Sequence, residues 1–375
     1  MLNRPLRALI LYWGRRGLSI FVRDFARAAL AGNALCPTIS VSRQNTNFEQ
    51  FTEFGNIIFP VTTFSHNIGA LTKAWQIVTI RKRLAREIER NRIEVVIDLL
   101  PHVWAPFVVQ VFKAAGIPYV TVIHDAEYHP GDYRSATASG LSRRSLRQSD
   151  LVITLSGAVA GRVEALGIPP EKICTILHPD LDFGGRHFHA APKPDEPLRL
   201  MFFGRIMYYK GLPLFLNMVE ELKQEGLSIK VGVFGEGSLG ECELRLKAMG
   251  AEVVNRWLTE AEVADAFSRY HAVVLSHIEA SQSGVAAAAM GAGLPVIATP
   301  VGGLLEQVHD GITGVIAERA DAISMSAATK RLILNSRLYE SICHNIEARR
   351  DERSMARFID SITQALRTRL GGNFF

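Results

Sequence analysis

Two cations stand five positions apart in "MFFGRIMYYKG", Met201 to Gly211. An apolar run ends at Gly204; Arg205 and Lys210 follow, and Gly211 closes the stretch. A guanidinium offers a planar fork of donors and an ammonium a compact charge. Together they suit a diphosphate, which spreads about two negative charges over several oxygens. Gly204 lets the backbone turn sharply where the run stops. A strand-to-helix loop with two solvated charges is the plainer reading of the same letters. A second stretch shifts the balance: "SHIEASQSGVAAAAMGAGLPVIATPVGG", Ser276 to Gly303. Glu279 falls just past the apolar run "HAVVLS", and Ser281 or Ser283 can cap a helix through "GVAAAAMGA". Small residues around Gly284 leave the amides of that helix start uncovered, and such amides with the positive end of the helix dipole make an anion site. A carboxylate beside it suits sugar hydroxyls, whereas a bare alanine-rich helix would leave Glu279 without a purpose.

These residues need a scaffold that ends strands next to helix starts. Short β-branched runs alternate with helical patterns along the chain. The first half offers "LRALILY", "EVVIDLL", "PYVTVIH" and "DLVITLS". The second offers "LRLMFFG", "SIKVGVFG", "HAVVLS" and "LPVIAT". In the helix expected over Leu18 to Ala31, Leu18, Phe21, Val22, Phe25, Ala28 and Ala29 recur at three and four, and Arg23, Asp24 and Arg27 are expected to face away. Continuous apolar strands alternating with helices imply parallel sheets covered on both faces. Between the two series lies "HPDLDFGGRHFHAAPKPDEP", aperiodic and rich in Pro, Gly, Asp and His. The expectation is an α/β chain of two doubly wound domains, 1–178 and 198–352, joined by a linker at 179–197. A final helical stretch, 353–375, is expected to pack back on the first domain. Ligands in such sheets bind beyond the carboxyl ends of the strands.

Composition sets the outer limits. With 375 residues, 48% hydrophobic and 21% charged, two ordinary globular domains fit. Residues 1–190 hold 22 Lys and Arg against 15 Asp and Glu, and the remainder 20 against 22. A basic front half points to an anionic partner: a phosphorylated substrate, an acidic membrane surface or, last, nucleic acid, since no zinc-finger spacing or aromatic RNA-binding motif accompanies the charge. Cys36, Cys174, Cys242 and Cys343 have neither metal-ligand nor redox spacing and are read as buried, reduced thiols. "LRALILY" reads as a buried strand rather than a signal peptide. The uncharged stretch 280–305 contains Pro295, Pro300 and several glycines, which argues against a membrane span.

"FGRIMYYKG", "HIEASQSGV", "GLPVIATPVGG" and "EQVHDGITGVI" follow one another in an order and spacing that resemble the retaining nucleotide-sugar glycosyltransferases of family 4, group 1, with the GT-B fold. The likeness is strong over 198–320 and weaker before. It implies two Rossmann-like domains facing each other across a cleft. It also implies a UDP- or GDP-sugar donor, a glycan or lipid-linked saccharide acceptor, retention by front-side displacement, and no cofactor or metal ion. Site roles follow as implications of the resemblance. Arg205 and Lys210 would hold the donor diphosphate and offset charge as it leaves. Glu279 would bind donor-sugar hydroxyls. Ser283, Gly284 and Val285 would approach the phosphates through backbone amides. Gly204 and the loops at Gly235–Gly237 and Trp257–Leu258 would hold the rest of the donor. Most of the family has a second glutamate eight positions after the first; here that position is Ala287.

In the first half, "VIHDAEYHPGD" closes the strand "PYVTVIH". His124 matches a family histidine at the donor sugar; Asp125, Glu127 and His129 are candidates for the acceptor. Gly14 and Gly17 in "YWGRRGLS" match a glycine-rich loop near the donor phosphate, and Arg15 and Arg16 would meet a phosphorylated acceptor or water. The spacing lacks the G-x-G-x-x-G of a dinucleotide fingerprint. A helix expected over Leu71 to Arg92 has Leu71, Trp75, Val78, Leu84 and Ile88 on one face, with Arg81, Lys82, Arg83, Arg86 and Arg90 beside them. It reads as a solvated surface helix or as a contact with an anionic bilayer. Arg143, Arg144 and Arg147 read the same way. Two rivals stand beside the transferase reading: a non-catalytic sugar-nucleotide-binding subunit, and an NAD-dependent oxidoreductase. The expected location is cytoplasmic, peripheral to the membrane.

Overall fold

The computed structural model describes residues 4–66, 69–125, 136–184, 189–193 and 195–374. In chain order the strands and helices of the first unit are β1 (Leu6–Tyr12), α1 (Ser19–Ala31), β2 (Leu35–Ser42), β3 (Ile58–Val61), α2 (Gly69–Thr72), α3 (Gln76–Asn91), β4 (Val95–Leu100), α4 (Ala105–Ala114), β5 (Tyr119–Ile123), α5 (Ala136–Gln148), β6 (Leu151–Thr154), α6 (Gly157–Ala165) and β7 (Ile173–Thr175). The second unit follows with β8 (Leu198–Phe203), α7 (Leu212–Gln224), β9 (Ile229–Phe234), α8 (Cys242–Ala248), β10 (Glu252–Val254), α9 (Glu260–Arg269), β11 (Ala272–Leu275), α10 (Gly284–Gly291), β12 (Val296–Ala298), α11 (Leu304–Gln307), β13 (Gly314–Ile316), α12 (Ala322–Ile333) and α13 (Ser336–Ala348). The last helix, α14 (Met355–Phe374), belongs to the first unit.

The first unit is a seven-stranded sheet in the order β3-β2-β1-β4-β5-β6-β7, parallel throughout. Its central strands β1, β4, β5 and β6 are buried nearly along their length, as runs such as Leu9, Ile10 and Leu11 or Val95, Val96 and Ile97 require, whereas the edge strands β3 and β7 are only partly covered. One core joins β1, β3, β4 and β5 to α3 and α4 through Leu11, Ile80, Leu84, Ile88, Val108 and Phe112. α14 packs on α1, where the rings of Phe21 and Phe358 meet at 5.8 Å.

The second unit is a six-stranded parallel sheet, β10-β9-β8-β11-β12-β13. In each sheet the chain runs outward to one edge, returns to the middle and runs to the other. The direction reverses between β1 and β4, and between β8 and β11. Loops leaving neighbouring strands at such a point diverge and open a crevice at the carboxyl edge. The loop after β8 carries Arg205 and Lys210; the loop after β11 carries Glu279 and leads into α10.

Several expectations change. The stretch expected as a linker is tied into the second unit from its start. Leu181 N–H donates to Ala287 O at 3.2 Å, and Arg353 Nε donates to Asp180 Oδ2 at 3.0 Å. Arg23, expected to face away, is buried, bonded to Gln50 Oε1 and 3.6 Å from Glu53. α1 begins one residue later than its pattern, because Leu18 takes the left-handed conformation with φ 43°. The helix expected over Leu71 to Arg92 is two helices, and its apolar face divides. Ile80, Leu84 and Ile88 are buried, whereas Leu71, Trp75 and Val78 are exposed. Cys36 is exposed and Cys174 half-buried; only Cys242 and Cys343 are buried as expected.

Candidate active site

At the carboxyl edge of the second sheet, glycines let backbone meet backbone. A β-carbon on Gly235 would lie 2.0 Å from Gly204 O, and one on Gly237 would lie 2.2 Å from Ile206 O. Gly204 N–H donates to Phe234 O, and Ile206 N–H to Glu236 O, both at 2.9 Å, so the loops after β8 and β9 continue the ladder beyond the strands. Gly204, at φ 102°, brings the same loop against α10: its β-carbon would lie 2.9 Å from Val285 Cγ2. Arg205 follows and is exposed.

The other end of this loop is fastened to β11. A single 3₁₀ turn, Tyr208–Lys210, ends in Gly211 at φ 71°. Ser276 Oγ donates toward Gly211 O (2.9 Å) and Lys210 O (3.1 Å), and Ile278 N–H donates to Tyr209 O at 2.8 Å. Lys210 is half-buried, with Nζ 5.6 Å from the centroid of the Tyr209 ring. A cation within about 6 Å of an aromatic ring face is attracted by the ring quadrupole. The loop holding both cations is therefore pinned to β9, β11 and α10.

After β11, His277 is buried and Glu279 half-buried. Thr299 Oγ1 donates to His277 O at 2.7 Å. The main chain at Ala280 and Ser281 packs on Gly302 and Gly303, whose β-carbons would lie 1.9 Å from Ala280 O and 2.1 Å from Ser281 O. Ser283 caps α10, its Oγ accepting from Ala286 N–H at 3.3 Å. Its own N–H is already committed to Gln307 Oε1 at 2.6 Å. Of the three amides expected to meet phosphate, that of Ser283 is therefore occupied within the fold. Those of Gly284 and Val285 have no acceptor among the described residues. Ala287, where the family pattern has its second glutamate, is fully buried, and its carbonyl accepts from Leu181. Beyond β10, Trp257 is exposed and Leu258 half-buried. Asn255 clasps Gly237, accepting from its N–H at 3.1 Å and donating to its carbonyl at 3.0 Å.

Spacing did not single out Gln307, Asn255 or Gln282. Gln307 and Asn255 act on loop backbone 24 and 18 residues away, which no local pattern encodes. Gln282, between the two serines, has a buried Oε1 without a donor among the described residues.

The first unit has its own reversal point. Gly14 O accepts from Asn45 Nδ2 at 2.7 Å, Arg15 O from Thr46 N–H at 2.9 Å, and Gly17 O from Tyr12 Oη. The glycine loop after β1 is thus held by three hydrogen bonds. Arg15 donates through Nη1 to Ser65 O, so it braces a neighbouring loop, while Arg16 is exposed. His124, at the end of β5, is buried with its ring edge-on to Phe21 at 5.0 Å; Asp125 beside it is exposed. Glu127 and His129 lie outside the described residues. Arg83 donates to Pro60 O at 2.9 Å and stacks over Phe59, which removes it from the solvent-facing cations of α3.

Comparison with known proteins bears on both units. Residues 16–179 match the model described as Glycosyltransferase Family 4, and residues 197–335 that described as Glycosyl transferases group 1. Among curated relatives, a putative colanic acid biosynthesis glycosyltransferase, WcaL, of Salmonella typhimurium is 25% identical over 48% of this chain and 47% of its own. The amylovoran biosynthesis glycosyltransferase AmsK of Erwinia amylovora is 25% identical over 57% and 54%. The chain spans about half the length of the curated relatives it matches. Among solved structures, HepE of Anabaena in complex with UDP-glucose superposes with a TM-score of 0.72 at 15% identity, covering 97% of this chain and all of that one.

Proposed function

The chain belongs to the family 4, group 1 glycosyltransferases of GT-B fold, and from that premise we propose that it moves a sugar, with retention, from a nucleoside diphosphate to a hydroxyl of a glycan or lipid-linked saccharide. The observation that carries the donor half is the approach of Gly204 to Val285. It puts the loop of Arg205 and Lys210 beside the start of α10, where two amides have no acceptor among the described residues. In this reading Arg205, Lys210 and the amides of Gly284 and Val285 hold the diphosphate and stabilise the charge that grows as it departs. Glu279 binds hydroxyls of the donor sugar and Trp257 offers the base a face. The two cations do the work of a metal ion. The leaving phosphate takes the acceptor proton, so no side-chain base is required. His124, Gly14 and Gly17 keep their proposed donor roles, and Arg16 and Asp125 their acceptor roles. Relatives named for colanic acid and amylovoran biosynthesis favour a place in bacterial surface or exopolysaccharide assembly.

A screen of UDP-, GDP- and ADP-sugars for thermal stabilisation tests the donor half, since a ligand of the folded state raises its melting point. One stabilising sugar nucleotide is the expected result. NADH binding with no sugar-nucleotide binding would replace the reading with that of an oxidoreductase. A stabilising donor that the pure protein neither hydrolyses nor transfers would leave a non-catalytic subunit.

The proposal includes an anionic membrane surface on the first unit. α4 packs between α3 and α5, and the exposed charges of these three helices are eight cations, among them Arg81, Lys82, Arg86 and Arg90, against one carboxylate, Glu89. Leu71 in α2, Trp75 in the turn that follows it and Val78 in the first turn of α3 are 82%, 67% and 58% exposed. No described helix is long and apolar enough to cross a membrane, so the contact is peripheral. Cosedimentation with phosphatidylglycerol-containing but not pure phosphatidylcholine vesicles, weakened by Trp75→Ser, is expected. Equal binding to both vesicle types would refute it.

A further inference from the structure

We infer that Gln307 is a positioning residue for the donor diphosphate, acting through the residue that opens α10. Its side-chain amide takes both backbone groups of Ser283: Oε1 accepts the Ser283 N–H at 2.6 Å, and Nε2 donates to Ser283 O at 3.3 Å. Both residues are buried, Gln307 at 6% and Ser283 at 1% exposure. The two bonds run in opposite directions, so only one orientation of the amide satisfies both. The pair copies one rung of a β-ladder, made by a side chain.

The consequence falls on the next two residues. Ser283 is extended, with φ −136° and ψ 108°, and its Oγ takes the Ala286 N–H. With Ser283 fixed at N–H, C=O and Oγ, the directions of the Gly284 and Val285 amides are fixed as well. Gln307 itself is anchored. It ends α11, a single turn preceded by Gly302 and Gly303, whose backbone packs on Ala280 and Ser281. Gly303 N–H donates to Ala280 O at 3.0 Å. The segment from Ala280 to Ser283 is thus held on α11 at both ends. Preorganised donors stabilise an anion because they need not reorient when it arrives. An apolar side chain at 307 would fill the space and leave both backbone groups of Ser283 unanswered, allowing the helix start to turn away.

This inference rests on the diphosphate reading, and the experiment separates the two. Full-length wild type, Gln307→Met and Gln307→Asn are titrated with UDP, GDP, their monophosphates and inorganic pyrophosphate. Met conserves volume; Asn keeps the amide but shortens its reach. Leu332→Ala, in the buried face of α12, serves as a control for general destabilisation. Wild type is expected to bind one diphosphate more tightly than its monophosphate. In both Gln307 variants that ratio falls about ten-fold, and in Leu332→Ala it holds within about two-fold. An unchanged ratio in both Gln307 variants would overturn the positioning role alone, as would an equal fall in Leu332→Ala. Failure of wild type to bind any diphosphate or pyrophosphate would remove the underlying reading and this inference with it.

Discussion

Replacing Gly211 with alanine perturbs the loop of Arg205 and Lys210 without touching either charge. Two costs add. At φ 71° an alanine loses about 1 kcal/mol relative to glycine. Its β-carbon would also lie 1.8 Å from Ser276 O, and that oxygen is backbone, so the loop and β11 must separate by more than an ångström. Overpacking of this kind costs about 1–3 kcal/mol. The separation strains the Ser276 hydroxyl bonds to the carbonyls of Gly211 and Lys210, together worth about another 1 kcal/mol. The sum is about 3–5 kcal/mol. Gly226→Ala isolates the first cost, because Gly226 has φ 88° and nothing within 4 Å of its β-carbon; about 1 kcal/mol is expected there. Urea unfolding of the two variants reads the difference directly, and titration with the stabilising sugar nucleotide at low urea reads displacement of Lys210, expected as a loss of ten-fold or more. Equal destabilisation by the two substitutions would refute the packing argument. Full donor affinity in Gly211→Ala would refute the coupling of this turn to the phosphate site.

Two further outcomes concern stability. Asp98 is fully buried on β4, accepting from Tyr119 Oη at 2.7 Å, and burial pushes its pKa up to about 7. The folded state then keeps a proton that the unfolded chain releases near pH 4, so this group's effect on stability worsens as pH rises from 4 to 7, by about 4 kcal/mol in all. Asp98→Asn, which keeps an acceptor for Tyr119, should flatten that slope in urea midpoints taken from pH 5 to 8; parallel slopes would exclude the assignment. Arg353→Met strips the partner from the buried Asp180 carboxylate and should cost about 3–5 kcal/mol, most of it recovered in the double variant with Asp180→Asn. No recovery would show that packing of the arginine stem, rather than the ion pair, matters.

Much of this molecule is written locally. The runs at β1, β4, β5, β6, β8, β9, β11 and β12 declare themselves because a strand covered on both faces must be apolar throughout. β2 and β3 escape because Pro37 and Pro60 interrupt them, and β7, β10 and β13 because three residues make no pattern where, unlike β12 in "LPVIAT", no longer apolar run surrounds them. Arg205 and Glu279 are legible because they lie two and four residues past the end of a strand, and Lys210 because it shares the loop of Arg205. What is illegible depends on distant partners. Gln307 looks like one more polar residue until α11 is laid beside Ser283. Ala287 gives no hint that its carbonyl is taken by Leu181. Arg23 carries the letter of a surface residue but is buried beneath the exposed Gln50 and Glu53, which its guanidinium meets. Helical periodicity through Leu71 to Ile88 is real, yet a break after Thr72 leaves the first part of the stripe outside the core.

The central claim is that Arg205, Lys210 and the start of α10 act on one diphosphate. Turnover of the stabilising sugar nucleotide, as transfer or slow hydrolysis, tests it most directly when wild type is set against Lys210→Ala and Arg205→Ala. A fall in kcat of about 10²–10³ in each variant is expected, with the fold intact by its melting point. Undiminished turnover in Lys210→Ala would contradict the account.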